Sequence, residues 1–469
     1  MTSRDIQKDI VTVCKIETGK TIIEDINSDY FALLVDESRD VSHKEQMVIC
    51  LRYVDKMGFV MEAFIGLVHI KDTSALSLKK AIVDVLAHHF LILSNVRGQC
   101  YDGASNMQGE LGGLKTLIGQ ESRTAHSVHC FAHQLQLTLV AVSKKCVQHL
   151  QMALEMGELE TGRGLNKKLG LVKAGDTRWG SHYKSFENFI SSFDSIIDVL
   201  DTLVENASTL EERASTSGFL RSCQTFETIF LLHLMTNVLE ITNDLNVSLQ
   251  KKEQDIANAM ILVKVAKRRR SRRKIVICTT LHHYRVDVFY KFIDWKLQEL
   301  NDRFNEVTSD LPNGVSCLTP IDSFSSFDIK KIMRMAELYP DDFDGSNMRA
   351  LEIQLVNYII DVCDIDERFS DLGGLGELSR KLVETKKHLT YSLVFLLVKF
   401  ALLLPIATAT VERAFSAMKI IKNDWRNRMD DEFLDGCIVP YVEKKVFKDV
   451  SNECIMKTFQ EMKCRRVQL

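Results

Sequence analysis

Residues 31–40 read FALLVDESRD: five apolar side chains, Phe31 to Val35, run without a break into Asp36, Glu37 and Ser38. A continuous apolar run of this length suits a strand buried on both faces. A carboxylate at its tip adds nothing to burial, so Asp36 is either solvated punctuation or a ligand. The elements that follow bear on the choice. Met47–Val54 and Phe59–Val68 flank the turn Asp55-Lys56-Met57-Gly58 and read as a hairpin. Ala75, Leu78, Ile82, Val85 and Leu86 recur at helical spacing behind Ser74, a suitable N-cap. Val96–Tyr101 reads as a strand, and it too ends on an acid, in Asp102-Gly103. Asn106–Ile118 reads as a glycine-interrupted helix, His126–Cys130 as a short strand and Ala132–Cys146 as a helix.

The order is therefore three hairpin-joined strands followed by βαβ crossovers, which makes a mixed sheet covered by helices. Sites in such sheets sit beyond the carboxyl ends of the strands. Asp36 and Asp102 each end a strand and can face one crevice. Two such carboxylates suit a magnesium-dependent nuclease core, because Mg²⁺ takes hard oxygen ligands. The bland alternative is that Asp36 caps a strand and Asp102 opens a turn. Glu37 and Asp40 read as solvent-facing.

The 469 residues allow two or three domains, and 45% hydrophobic with 26% charged residues is ordinary globular composition. A net charge of −3 argues against a wholly basic nucleic-acid coat. The most apolar window, Leu389 to Leu404, is interrupted by Thr390 and Lys399, which argues against a membrane span. The twelve cysteines are scattered without a C-x-x-C pair, a pattern of reduced thiols in an intracellular protein. Residues 1–28 read as a helical lead-in, 29–148 as the first part of the core and 149–384 as a helical region. The basic run KRRRSRRK (267–274) and the Pro/Ser-rich segment 309–327 interrupt that region. KRRRSRRK reads as a nuclear-import signal or a phosphate-contacting patch. Residues 385–469 hold apolar helices with Val411, Ala414, Phe415, Met418 and Ile421, then Phe433, Leu434, Cys437, Ile438 and Val442. This exceeds what one helical hairpin buries, so part is expected on the core and part on another subunit.

VDESRD (35–40), RGQCYDGASNMQG (97–109), VHCFAHQLQL (128–137), GDTRWGSHYKSF (175–186) and LPIATATVERAFSAMKIIKNDWRNRM (404–429) occur in that order. Together they resemble the hAT superfamily of DNA transposases. The likeness is nearest to proteins of the zinc finger MYM-type and TTF-type kind, with a DUF4371-like core and a hAT C-terminal dimerisation region. The resemblance implies an α/β plus all-α chain, in which an RNase H-like core is interrupted by a large helical insertion and completed by the C-terminal region. It implies a catalytic and metal-binding triad of Asp36, Asp102 and Glu412, with magnesium as the ion. It matches Cys130 and His133 to a C-x-x-H motif, and Trp179, beside Arg178, to an insertion-domain tryptophan that stacks on an extruded base. These four are the DNA-binding expectations. The plain reading of Trp179 is a packing anchor. Zinc at His126, His129, Cys130 and His133 is disfavoured, because four ligands seldom converge from one short segment.

The chain departs from active relatives by lacking an N-terminal zinc module before the core, by a short stretch after Cys146, by the basic junction at 267–274 and by Trp425 in KNDWRNRM. The expectation is a nuclear, transposase-derived protein that self-associates through 385–469. Its strand-transfer site is retained in sequence but not used for transposition. The alternative is an active magnesium-dependent DNA nuclease or transposase.

Overall fold

The computed structural model describes residues 3–109, 112–138, 189–191, 193–207, 209–269, 291–303 and 310–463. They form two compact units, one of residues 1–133, 249–260 and 307–469, the other of 134–248 and 261–306. This division by packing runs differently from the segmentation at 149 and 385, because the helices between 310 and 384 pack within the first unit.

The first unit is built on a five-stranded mixed sheet. Its strands are β1 (Phe31–Arg39), β2 (Glu45–Val54), β3 (Val60–Ile70), β4 (Val96–Tyr101) and β5 (His126–His129), in the spatial order β3-β2-β1-β4-β5. β1, β2 and β3 are antiparallel neighbours, whereas β4 lies parallel to β1 and β5 parallel to β4. The hairpin and crossovers expected from the sequence are thus present, in an order consistent with an RNase-like domain. β1 is longer than its apolar run suggests. It continues through Asp36, paired with Val48, to Arg39, paired with Glu45. The acid stands inside the ladder, because β2 supplies partners beyond Val35.

Side chains alternate between the two faces. Leu33 and Val35 face one cluster with Ile22, Ile26, Leu78 and Ile82. These come from α1 (Arg4–Ile26) and α2 (Ala75–His88), whose N-cap Ser74 accepts from the Ser77 N–H. Residues Ser105–Gln108 form a single turn, and α3 (Leu114–Glu121) follows, so the helix expected over 106–118 is split. Residues 131–138 are again helical.

The other face is covered from the far end of the chain. α4 (Asp310–Leu318), α5 (Ile329–Glu337), α6 (Gly345–Ile360), α7 (Leu375–Glu384), α8 (Ser392–Leu403), α9 (Ala409–Ile421), α10 (Asp431–Val442) and α11 (Asn452–Glu461) follow one another. The Pro/Ser-rich segment breaks the helices only in its second half: α4 forms over its start, with Pro312 in the first turn, where a missing N–H costs nothing, and the backbone turns out of helical geometry at Asp322 and Ser323. Val411, Ala414, Phe415, Met418, Ile421, Leu434 and Ile438 pack on Leu34, Val48, Cys50 and Phe64, with Cys437 and Val442 partly buried beside them. The apolar surplus of the C-terminal region is largely consumed by the chain's own sheet.

Of the buried ion pairs, Arg97–Asp342 at 2.8 Å ties this layer to the sheet, and Arg52–Glu62 at 2.7 Å joins β2 to β3. Arg52 also donates to the Leu402, Lys252 and Gln254 carbonyls. The outer edge of β3 is capped by acids, since the Phe64 N–H donates to Glu443 and the Leu67 N–H to Asp435. The described part of the second unit is helical. It includes Phe193–Glu205, Leu210–Cys223, most of Phe226–Leu249 and Lys291–Arg303. Among the described residues no helix is long and apolar enough to cross a membrane.

Candidate active site

The alternation that buries Leu33 and Val35 on the α1–α2 face turns Leu34 to the opposite face, and Asp36 follows Leu34. On β4, Tyr101 joins the first face and Cys100 the second, so Asp102 continues toward the same side as Asp36. Glu412 reaches that side from the first turn of α9. The approach of α9 is fixed by the segment before it: the Phe131 N–H donates to the Ile406 carbonyl at 2.8 Å, and Thr408 Oγ1 lies 3.5 Å from Cys130 Sγ. Cys100, Cys130, Ala132 and Ala407 form a small apolar cluster beneath.

The electrostatics register this convergence. Burial first, and the Asp102 carboxylate second, push the Asp36 carboxyl well above the usual range. The Glu37 N–H, donating to Asp36 Oδ1 at 2.8 Å, opposes the shift, while Cys130 and Glu412 add to it. Three acids separated by as many as 376 positions in the sequence (36 to 412) therefore share one charge environment.

Glu37 is not simply solvated. It is partly buried on the other side of β1, accepts from Asn106 Nδ2 at 3.0 Å, and is pushed up to about 7, by burial first and by Asp102 and Glu45 after it. Asp40 is buried outright. Burial alone would raise it, but the Lys422 ammonium at 2.6 Å and the Ser42, Lys44 and Gln46 donors hold it well below the carboxylate range. The solvent-facing reading of both acids is thus corrected. The sequence offered no signal for Lys422, which lies 382 positions away.

Cys130 is fully buried, which leaves it no surface for DNA. The Cys100 thiol, against the effect of burial, brings the Cys130 thiol down to about 7, and burial pushes Cys100 up. His133 lies with its ring 6.0 Å from that of His129. Both rings abut Gly103, where an added Cβ would stand 3.2–3.3 Å from their Nε2 atoms. The imidazoles therefore pack against the turn that carries Asp102. His126 instead turns its Nε2 to the Leu338 carbonyl at 3.1 Å. Arg178, Trp179 and the basic stretch from 270 to 274 lie outside the described residues.

Magnesium suits the donor chemistry here, since all three candidates are carboxylates. Among the described residues Asp36 has no cation partner, and its hydrogen bond comes from the Glu37 N–H alone, so a cation beside it would favour the charged form that its surroundings disfavour. Among the same residues, however, no three His, Cys, Asp or Glu side chains are gathered closely enough to hold a metal ion. The acids share a field without forming a ligand set in this conformation.

A mixed sheet in this order, with carboxylates on one face near the ends of parallel strands, is consistent with an RNase-like domain. Residues 1–113 match the family model described as DUF4371, the ZMYM1/FAM200 RNase-like domain. That match fits a domesticated, transposase-like protein, and it takes in Asp36 and Asp102 but stops well short of Glu412.

Proposed function

We propose that the chain is derived from a hAT-type transposase and that Asp36, Asp102 and Glu412 form a centre for divalent-metal-dependent DNA strand cleavage. The observation that carries this reading is the shared electrostatic environment of the three acids on one face of the sheet. Asp36, Asp102 and Glu412 would hold magnesium, which when bound activates the attacking oxygen and stabilises the leaving one. The remaining contributions come from the chain itself. The Glu37 N–H orients the Asp36 carboxylate, and the His129 and His133 rings steady the Asp102 turn. Trp179 and Arg178 are assigned to the DNA strand, and the basic run at 267–274 to nuclear import or phosphate contact. The full chain should nick DNA when Mg²⁺ or Mn²⁺ is added, and Asp102→Asn should reduce nicking to background. Nicking that is absent with every DNA substrate, or that survives the substitution, overturns the assignment.

A second reading is a non-catalytic nuclear protein that acts by self-association. Two observations favour it: the absence of a gathered ligand set among the described residues, and an outward apolar stripe on α6. Ile353, Val356 and Ile360 recur there at helical spacing and are exposed, as are Ile365 and Leu389. The oligomeric state of surface variants tests it, as set out below.

A further inference from the structure

We propose that Trp425, with Arg426, Arg428 and Lys419, is a stacking platform for single-stranded DNA at the far end of the helix that carries Glu412. Trp425 is 96% exposed, although tryptophan is the side chain with the most apolar surface to lose from water. Ile420, five positions before it, is 61% exposed, and Lys419, Arg426 and Arg428 are exposed as well.

The mount is rigid. Immediately before the tryptophan, Lys422 is clamped to Asp40 at 2.6 Å with both side chains fully buried. Asn423 Oδ1 then accepts the Trp425 N–H at 3.1 Å, and Asn423 Nδ2 donates to the Ile420 carbonyl at 3.3 Å. The backbone of the turn is thus set before binding, and the tryptophan side chain is what a ligand would order.

Charge selects the partner. Three exposed cations lie within six positions of Trp425 in sequence, and of the acids nearby Asp430 pairs with Lys8 and Asp431 with Lys44, leaving Asp424 and Glu432. Aromatic faces flanked by cations bind single strands by stacking on bases while the cations follow the phosphates. A duplex offers no free base face. The end of α9 at Ile421 stands about 14 Å along the helix from Glu412, at a rise of about 1.5 Å per residue, and Trp425 follows four residues on, so a strand of a few nucleotides reaches from one to the other. The inference extends the nucleic-acid reading of the carboxylate centre, and it is tested without metal so that the two stand or fall separately.

The test is fluorescence anisotropy of labelled oligothymidylate with the full chain in chelator. Wild-type protein should bind the single strand in preference to duplex. Trp425→Ala should weaken binding roughly 5- to 150-fold, Trp425→Phe should retain most of it, and Arg426→Ala with Arg428→Ala should lower the salt slope by about 1.4. Equal binding by Trp425→Ala, equal preference for duplex, or no binding by wild type overturns the proposal. So does a change of sedimentation on Trp425→Ala, which would show a second copy covering the patch. Binding without metal-dependent nicking would uphold the platform and remove the nuclease reading instead.

Discussion

Lys422 and Asp40 are the clearest case of a residue-scale decision. Each side chain is fully buried, and together they pin the end of α9 to the β1–β2 turn at 2.6 Å. Removing one member leaves the other as an uncompensated buried charge, which costs about 3–5 kcal/mol. Lys422→Ala should therefore lower the urea-unfolding free energy by that amount, and Asp40→Asn with Lys422→Met should restore most of it. A Lys422→Ala protein as stable as wild type would contradict the pair. Its pH dependence has a definite sign. Asp40 is held below the ordinary carboxylate value, so the unfolded chain binds more protons at low pH. The pair's stabilisation is present above about pH 4 and is lost as pH falls toward the folded value. At this scale the sequence was only partly legible. Asp36, Asp102 and Glu412 could be singled out from strand ends and resemblance. Asp40 reads as a polar turn residue until its partner, 382 positions away, is placed against it.

Among the elements, strands were the easiest to read, because an unbroken apolar run such as Phe31–Val35 has few alternatives. Their ends were harder, since β1 gains Asp36 to Arg39 only through pairing with β2. Pro312 misled for a local reason: proline reads as a breaker, yet in the first turn of α4 it is compatible with helix. Gly98 shows what close approach demands of an element. A Cβ on this β4 residue would stand 2.6 Å from the Leu403 carbonyl oxygen and 3.0 Å from Pro405 Cδ, both part of the α8–α9 connection. Gly98→Ala should destabilise by about 1–3 kcal/mol. Gly119 in α3 has nothing within 4 Å, so Gly119→Ala should stabilise by about 0.5–1 kcal/mol. Thermal unfolding of the two variants should move in opposite directions; a shift of the same sign would refute the crowding at Gly98.

For the whole molecule, the matched segment 1–113 supplies four of the sheet's five strands and most of only one of its covers. The face bearing Leu34, Val48, Cys50 and Phe64 is closed by α9 and α10. Deleting 385–469 would therefore expose a core face, and a change in sedimentation after that truncation could not be credited to a lost partner surface. Self-association is better tested on α6, with Ile353→Asp, Val356→Asp and Ile360→Asp combined. The expected outcome is a dimeric wild type and a monomeric triple variant in sedimentation velocity. A monomeric wild type at every concentration would remove the self-association reading.

The acids that cap β3 carry a consequence for how such a molecule shares a crowded cell. An open sheet margin is an invitation to zip onto another chain, and unguarded margins nucleate fibres. Here Glu443 and Asp435 occupy two of the amides a newcomer would have to reach, so growth by annealing of strands is blocked along that seam.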